Sequence, residues 1–389
     1  MADIGEQFLN LDLPNEINKA IFDLGYERPT PIQQQALPHA LNGEDIIGQA
    51  QTGTGKTAAF LISIFTYELE NPPTEDRKPG TPFALIIAPT RELVIQIKKD
   101  ADALAIYTDI KTLALVGGID YEKQKNKLNR KVDLVIATPG RLLDFSRSGT
   151  IDLSRVEILV IDEADRMLSM GFIPDVKSII AKTPHRRQRQ TQLFSATYTT
   201  DIRRLASQWT LDPIKIDIAP EKIAVETVEQ RAFLVAEDDK FQLLINVIEH
   251  YEMSRVLIFV NRRDTARELH GKITKDGFVC GLLAGDVPQR KRIRTLEKFR
   301  AGDTRILVAT DVAGRGIHID NISHVINYNL PEDPEDYVHR IGRTGRAGSE
   351  GISISLVCET DAFSLPGIEE LLGNKLNCEQ PPDKLLLPV

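Results

Sequence analysis

The strongest constraint on what this chain can fold into is a repeated alternation. Short apolar runs at 45–48, 83–88, 112–116, 134–137, 158–161 and 192–194 are separated by amphipathic stretches such as 56–69, 92–105 and 173–181. A second series follows, with runs at 256–260, 279–283, 306–309, 325–328 and 352–357 and helical patterns at 240–250, 265–274 and 288–299. Runs too short for helices, alternating with stretches of helical period, predict strands linked by crossover helices, and so parallel sheets covered on both faces. Helical periodicity lapses near 212–229, so two α/β domains joined by a short linker are expected. The two series share an architecture but no evident sequence repeat. Segment 71–82, NPPTEDRKPGTP, holds four prolines and a glycine and reads as a surface loop.

Composition narrows the function. The 389 residues carry a formal net charge of −8, which argues against bulk electrostatic attraction to nucleic acid. A phosphate backbone would have to be held by a local site. The three cysteines, Cys280, Cys358 and Cys378, lack CxxC spacing and are expected to be reduced and structural. No run approaches the ~20 apolar residues of a membrane span. The start MADIGEQFLN lacks signal-peptide architecture. Both features point to a cytoplasmic protein with no membrane partner.

The segment AQTGTGKT at 50–57 lies between an apolar run and a helical pattern. It matches the phosphate-binding GxxxxGK[ST] loop except that Ala50 takes the first glycine position. Gly53 and Gly55 let the backbone turn its N–H groups toward phosphates. Ala50, Gln51, Thr52, Gly53, Thr54 and Gly55 would wrap the phosphates, Lys56 would reach the β- and γ-phosphates, and Thr57 would hold Mg²⁺. A glycine-rich turn that merely starts a helix is the competing reading.

The stretch LVIDEADRM, from 159, puts Asp162, Glu163 and Asp165 directly after an apolar strand. Three carboxylates so close repel one another and are costly to bury. Acidic residues do favour a helix's first turn. In enzymes with this loop, however, an Asp at a strand end shares Mg²⁺ with the loop Ser/Thr. Asp162 fits that place, and Glu163 is placed to take a proton from an attacking water.

Together the motifs resemble the DEAD-box RNA helicases. VIDEAD at 160–165 is joined by PTREL at 89–93, Gly117-Gly118, TPGR at 138–141 and SAT at 195–197. In the second half follow IFVN at 258–261, QRKR at 289–292, TDVAGRG at 310–316 and HRIGRTGR at 339–346. The resemblance covers roughly residues 8–358. It implies two tandem RecA-like parallel-sheet domains with a nucleotide and RNA cleft between them. The expected division is an adenine-reading N-terminal segment over 1–40, an ATP-binding domain over 41–212, a linker over 213–228, a C-terminal helicase domain over 229–375 and a tail over 376–389.

The resemblance also assigns roles. GYERPTPIQ at 25–33, with Phe8 upstream, is similar to the family's adenine-reading motif. Gln33 can give and take hydrogen bonds with adenine at once, and Tyr26 would stack on the ring. The Thr30-Pro31 pair also reads as a helix cap that would fix Gln33 in place. Arg343 and Arg346 would act as arginine fingers on the γ-phosphate, with Arg340 on the same helical face. Because they sit on the other domain from Lys56 and Glu163, hydrolysis would require closure. Asp165, Ser195, Thr197 and His339 would couple hydrolysis to strand separation. Pro89, Thr90, Arg91, Gly117, Gly118, Gly140 and Arg141 would line an RNA path at strand ends. Asn261, Gly285, Gln289, Arg292, Thr310 and Asp311 would do so on the second domain. Such contacts read backbone and 2′-hydroxyls rather than bases, so single-stranded and duplex RNA are the expected partners and DNA is not.

Several stretches, including LLAGDVPQRKR and VATDVAGRGIHI, are similar to the bacterial branch that docks on ribonuclease E in the RNA degradosome. That implies a helicase assisting mRNA degradation, docked through its second domain. An ATP-gated RNA clamp with little unwinding remains the alternative. One residue departs from the family at large. His318 stands where an Asp usually contacts the nucleotide ribose, which implies loose ATP binding and weak unstimulated turnover. His318→Asp should therefore tighten ATP binding by about tenfold or more, the worth of one charge-assisted hydrogen bond. Titration with a fluorescent ATP analogue reads the change, and an unaltered affinity removes position 318 from nucleotide binding.

Overall fold

The computed structural model describes residues 8, 11–50, 53–73, 77–218, 228–311, 322–345 and 351–386. The chain divides into two compact units, one ending at Pro220 and the next starting at Glu221. In the first unit, strands β1 (Ile46–Gln49), β2 (Ala84–Ile87), β3 (Thr112–Leu115), β4 (Leu134–Ala137), β5 (Ile158–Ile161), β6 (Gln190–Ser195) and β7 (Ile214–Asp217) form one seven-stranded sheet in the order β3-β4-β2-β5-β6-β1-β7. Every pairing in it is parallel. Strands β2, β4 and β5 read ALII, LVIA and ILVI and are buried on both faces, as parallel strands between helix layers must be. Ala84 and Ile86 pack into one core, while Leu85 and Ile87 pack into the other on the opposite face.

The second unit repeats the plan. Strands β8 (Val228–Leu234), β9 (Val256–Val260), β10 (Cys280–Leu283), β11 (Ile306–Thr310), β12 (His324–Asn327), β13 (Gly351–Val357) and β14 (Cys378–Glu379) lie in the order β10-β11-β9-β12-β13-β8-β14. Numbered from its own first strand, each sheet runs 3-4-2-5-6-1-7. Both are RecA-like sheets, the fold class expected from the alternation and the resemblance. Below β13 of the second unit, Lys240 is fully buried and pairs with Asp361 and, at 3.2 Å, with Glu237. Asp361 also accepts the Leu330 N–H at 2.9 Å, so one ion pair ties three segments together. All three cysteines are free. Among the described residues no helix is long and apolar enough to cross a membrane.

The helices between the strands begin where the sequence supplies a cap. Thr90 caps the helix Arg91–Leu104, its hydroxyl accepting the Leu93 N–H at 3.3 Å. Pro31 and Pro139 open the helices Pro31–Leu41 and Pro139–Arg147, where a missing N–H costs nothing. Two sequence expectations need correction. Residues 213–228 are not all linker: 214–217 form edge strand β7 on β1, and Val228 already opens β8. The pattern IKID is half-exposed, as befits an edge, and so lacks the apolar run that revealed the central strands. Likewise, segment 71–82 is anchored rather than merely exposed. Arg77 donates to Glu68 at 2.7 Å and to Asp133 at 3.2 Å, and its guanidinium lies 4.6 Å from the Phe83 ring. Because these partners are buried, Arg77→Ala should destabilise the first unit by about 3 kcal/mol, leaving two carboxylates without their cation. Thermal unfolding tests this, and an unchanged melting temperature would show the anchor to be dispensable.

Candidate functional site

Sheet order decides which loops meet. Register sets Gln49 beside Ser195, and Ile87 beside Ile161, so the loops after β1, β6 and β5 sit side by side at one edge. The loops after β2, β4 and β3 continue along the same edge. Open parallel sheets bind ligands at this carboxyl end.

In the loop after β1, Gly53 and Gly55 have φ of 92° and 93°, a region L-residues avoid. A Cβ on Gly55 would also lie 2.6 Å from Gln33 Nε2 and 2.7 Å from Thr30 Oγ1. Glycine is therefore required there by both conformation and space. The Gln33 amide accepts the Thr30 N–H at 2.9 Å and donates to the Gly55 carbonyl at 3.0 Å. It thus locks the start of the helix Pro31–Leu41 to the loop. Ala50, in place of the usual glycine, is buried, and its N–H donates to the Ser195 carbonyl at 3.0 Å. Lys56 opens the helix Lys56–Glu70, and its ammonium donates to the Ala50 carbonyl at 2.8 Å. It lies 3.9 Å from Asp162 Oδ1. Thr54 and Thr57 are half-buried, while Gln51 and Thr52 lie outside the described residues. Tyr26 packs at the margin of the core, and burial, with Asp100 nearby, pushes its hydroxyl pKa up. Phe8 is fully buried in that core, so it supports this segment from beneath instead of facing a ligand.

Each of the three carboxylates after β5 has a different neighbour. Asp162 is 2% exposed, and burial pushes its pKa up to about 6, with Glu163 and Asp165 adding and Lys56 opposing. Glu163 sits at φ 53°, ψ 52°, an uncommon conformation for a residue with a side chain. It is held by Arg166, whose guanidinium lies 3.1 Å from its carboxylate, both side chains being buried. Asp165 accepts the N–H groups of Ala196 and Thr197, each at 3.0 Å, while its own N–H donates to Ser195 Oγ at 3.2 Å. The acidic loop and the SAT loop are thereby joined by three hydrogen bonds.

Further along the edge, Arg91 lies over Gly117, where a Cβ would come 3.1 Å from its guanidinium. Thr90 is buried, Pro89 precedes it in the same loop, and Gly118 has φ 75°. Arg141 donates to the Ile119 carbonyl at 3.2 Å and faces the Tyr121 ring at 5.4 Å, while nothing crowds Gly140. Two residues here were not singled out in the sequence. Arg166 shows only as an i,i+3 partner of Glu163. Gln124, on the helix Tyr121–Leu128, is buried and brackets the glycine turn. It accepts the Val116 N–H at 2.9 Å and donates to the Val116 and Ile119 carbonyls at 3.2 Å.

On the second unit, Asn261, Gly285, Thr310 and Asp311 line a cavity of about 750 Å³ together with Arg262 and Arg263. Gln289 and Arg292 are buried. Arg340 is the hub: it binds Asp311 through two contacts of 2.6 Å, Asn261 at 2.7 Å and the Asn329 carbonyl at 2.6 Å. The expected common face of Arg340, Arg343 and Arg346 does not form. The helix Pro334–Ile341 ends before Arg343, and Arg340 turns inward because two oxygen-bearing side chains meet it there. Arg343 is buried and donates to the His339 carbonyl at 3.2 Å. His339 lies 3.9 Å from Asp336. Arg346 and His318 fall outside the described residues.

This arrangement on two RecA-like sheets is that of a helicase. The chain belongs to the DEAD/DEAH box helicases, whose family profile matches residues 30–205, with a helicase conserved C-terminal domain at 239–348. It is 58% identical to the ATP-dependent RNA helicase RhlB of Pseudomonas aeruginosa over 98% of this chain and 97% of that protein. Identity to RhlB of Shewanella putrefaciens is 46%, over 95% and 84%. Among solved structures, yeast Dbp5 bound to RNA and ADP BeF3 matches with a TM-score of 0.84 and 30% identity, covering 97% of this chain and 95% of Dbp5. Mss116p bound to ssRNA and AMP-PNP matches at 0.85 and 28%, covering 97% and 79%.

Gln124 gives this edge a direct test. Gln124→Ala should weaken RNA binding by roughly tenfold, since an unsatisfied buried N–H costs about 1–3 kcal/mol, and leave ATP binding unchanged. Gln124→Glu should be worse, because it sets a carboxylate against carbonyl oxygens. Fluorescence anisotropy with labelled RNA measures both variants, and equal RNA affinity in the two would remove Gln124 from the interface.

Proposed function

We propose that this chain couples ATP hydrolysis to local opening of RNA duplexes, and that it does so during mRNA degradation together with ribonuclease E. As a member of its family it is an ATP-hydrolysing RNA helicase. The observation that carries the mechanism is the array of Lys56, Asp162, Glu163 and Asp165 with the Ser195–Thr197 loop at one sheet edge.

The residues fit Mg²⁺. Asp162 and Thr57 offer the hard oxygen donors it prefers, and Asp162 is a buried carboxylate whose charge Lys56, 3.9 Å away, balances only in part. When bound with ATP, the ion supplies charge neutralisation at the β- and γ-phosphates. Lys56 then moves its donors from the Ala50 carbonyl to phosphate oxygens. Glu163, held by Arg166, orients the attacking water and accepts its proton. Arg343 and Arg346 of the second unit are assigned to the charge that develops on the transferred phosphoryl group. Gln33, already braced against Thr30 and Gly55, is assigned to adenine, so a change in its contacts would be felt at once by the phosphate loop. Asp165, through Ala196 and Thr197, passes the hydrolytic state toward the RNA-facing loops, with His339 as its counterpart on the second unit. Arg91, Gly117, Gly118 and Arg141 lie along the same edge and are assigned to the RNA backbone.

The degradosome role rests on similarity to proteins named RhlB, and the place of action is then the cytoplasm. One set of assays tests the whole reading: ATPase and duplex unwinding on matched RNA and DNA, with and without a ribonuclease E fragment. RNA-stimulated turnover, RNA-selective unwinding and enhancement by the fragment are expected. Glu163→Gln should keep ATP and RNA binding while lowering hydrolysis by at least about 100-fold, the usual worth of a general base. RNA-independent turnover would overturn the helicase mechanism, and an inert fragment would overturn the ribonuclease partnership.

A further inference from the structure

The amino-terminal end of the first sheet, opposite the nucleotide loop, carries a basic groove that none of the helicase motifs uses. In a chain of net charge −8, the segment 182–189 holds Lys182, His185, Arg186, Arg187 and Arg189, and no Asp or Glu occurs between 176 and 200. His185, Arg186 and Arg189 line a cavity of about 630 Å³ with Thr183, Ser207 and Gln208. Lys182 and Arg187 are exposed beside it. None of Lys182, Arg186, Arg187 and Arg189 makes an ion pair with a carboxylate among the described residues. The nearest acid acting on Arg189 is Asp45, and that carboxylate is occupied by the N–H groups of Thr191 and Leu211 at 2.7 and 2.6 Å.

Part of this charge has a structural task. Arg186 donates through one terminal nitrogen to the carbonyls of Ser207 and Thr210, at 2.7 and 2.9 Å, and so caps the helix Thr200–Trp209. Arg189 donates to Thr183 Oγ1 at 2.9 Å and to the Pro184 carbonyl. The helix Ile173–Ile180 also ends here. Two helix C-termini contribute about half a negative charge each. Four permanent cations exceed that sum, and capping needs neither Lys182 nor Arg187. Capping also fixes the Arg186 guanidinium through one nitrogen and leaves the rest of its donor fork to the groove, at no further ordering cost. A pre-positioned, unpaired guanidinium flanked by mobile cations suits phosphate oxygens.

We propose that this groove is a second RNA-backbone site, which holds single-stranded RNA extending beyond the strand-end face. The inference rests on RNA being this chain's substrate. Strand β6 runs from Gln190 at the groove to Ser195 at the catalytic edge, a span of about 17 Å. The groove is therefore reached only by an RNA long enough to pass around the unit.

The test compares RNAs of about 10 and about 40 nucleotides, the shorter sized to a single binding site. The double variant Lys182→Glu, Arg187→Glu removes surface charge without touching either helix cap. It should bind the short RNA and turn over ATP as the parent does. Its Kd for the long RNA should rise by roughly tenfold, and the log Kd against log salt slope should become shallower by about 1, as expected for two lost phosphate contacts. Arg186→Gln should act in the same direction, with its thermal unfolding checked because it gives up a cap. Long-RNA affinity equal to the parent in both variants overturns the second site. Equal weakening of short and long RNA also overturns it, since that would reflect general electrostatics. Failure of the parent itself to bind the short RNA would instead overturn the RNA-helicase reading on which the inference rests.

Discussion

The catalytic edge depends on a set of charges buried together at the end of β5. Lys56, Asp162, Glu163, Asp165 and Arg166 are each no more than 9% exposed. Isolated, any one of them would be costly to bury. Each is tolerated because a different partner faces it: Lys56 for Asp162, Arg166 for Glu163, and two backbone N–H groups for Asp165. Removing one partner leaves a buried charge uncompensated, so the array behaves as a unit. It is also left short of positive charge at Asp162, and that deficit makes the site receptive to a cation and a nucleotide.

Strand order turns this array into a coupling device. The loops of the nucleotide half follow β1, β6 and β5, and those of the RNA half follow β2, β4 and β3. β5 and β2 are neighbours, so the acidic loop borders the loop bearing Arg91. A change at the phosphates needs to cross only one strand spacing, about 4.8 Å, to be felt on the RNA side. The second unit repeats the strand order but not the chemistry. There Arg340 occupies the middle of the edge and ties Asn261, Asp311 and Asn329 together, a brace rather than a reaction centre.

Legibility in the sequence tracked burial. The central strands were visible because both faces are apolar, whereas β7 and the two-residue β14 were missed because edge strands need no such run. The phosphate loop and the acidic triplet were legible because their chemistry demands particular residue types at fixed spacing. Arg166, Gln124 and the inward turn of Arg340 were not, because each acts through a partner that only packing supplies. Arg340 looked like one of three equivalent arginines at i, i+3 spacing, yet two polar side chains from other strands draw it inside.

The sequence by itself determined the fold class, the family and which residue types would serve phosphate and water chemistry, because periodicity and motif spacing are local properties of the chain. Tertiary structure decided which loops are neighbours, which carboxylate meets which cation, and that Gln33 is braced against Gly55. Those facts come from a strand order that departs from chain order and from the burial that strengthens each ionic contact. Neither can be computed from spacing along the chain.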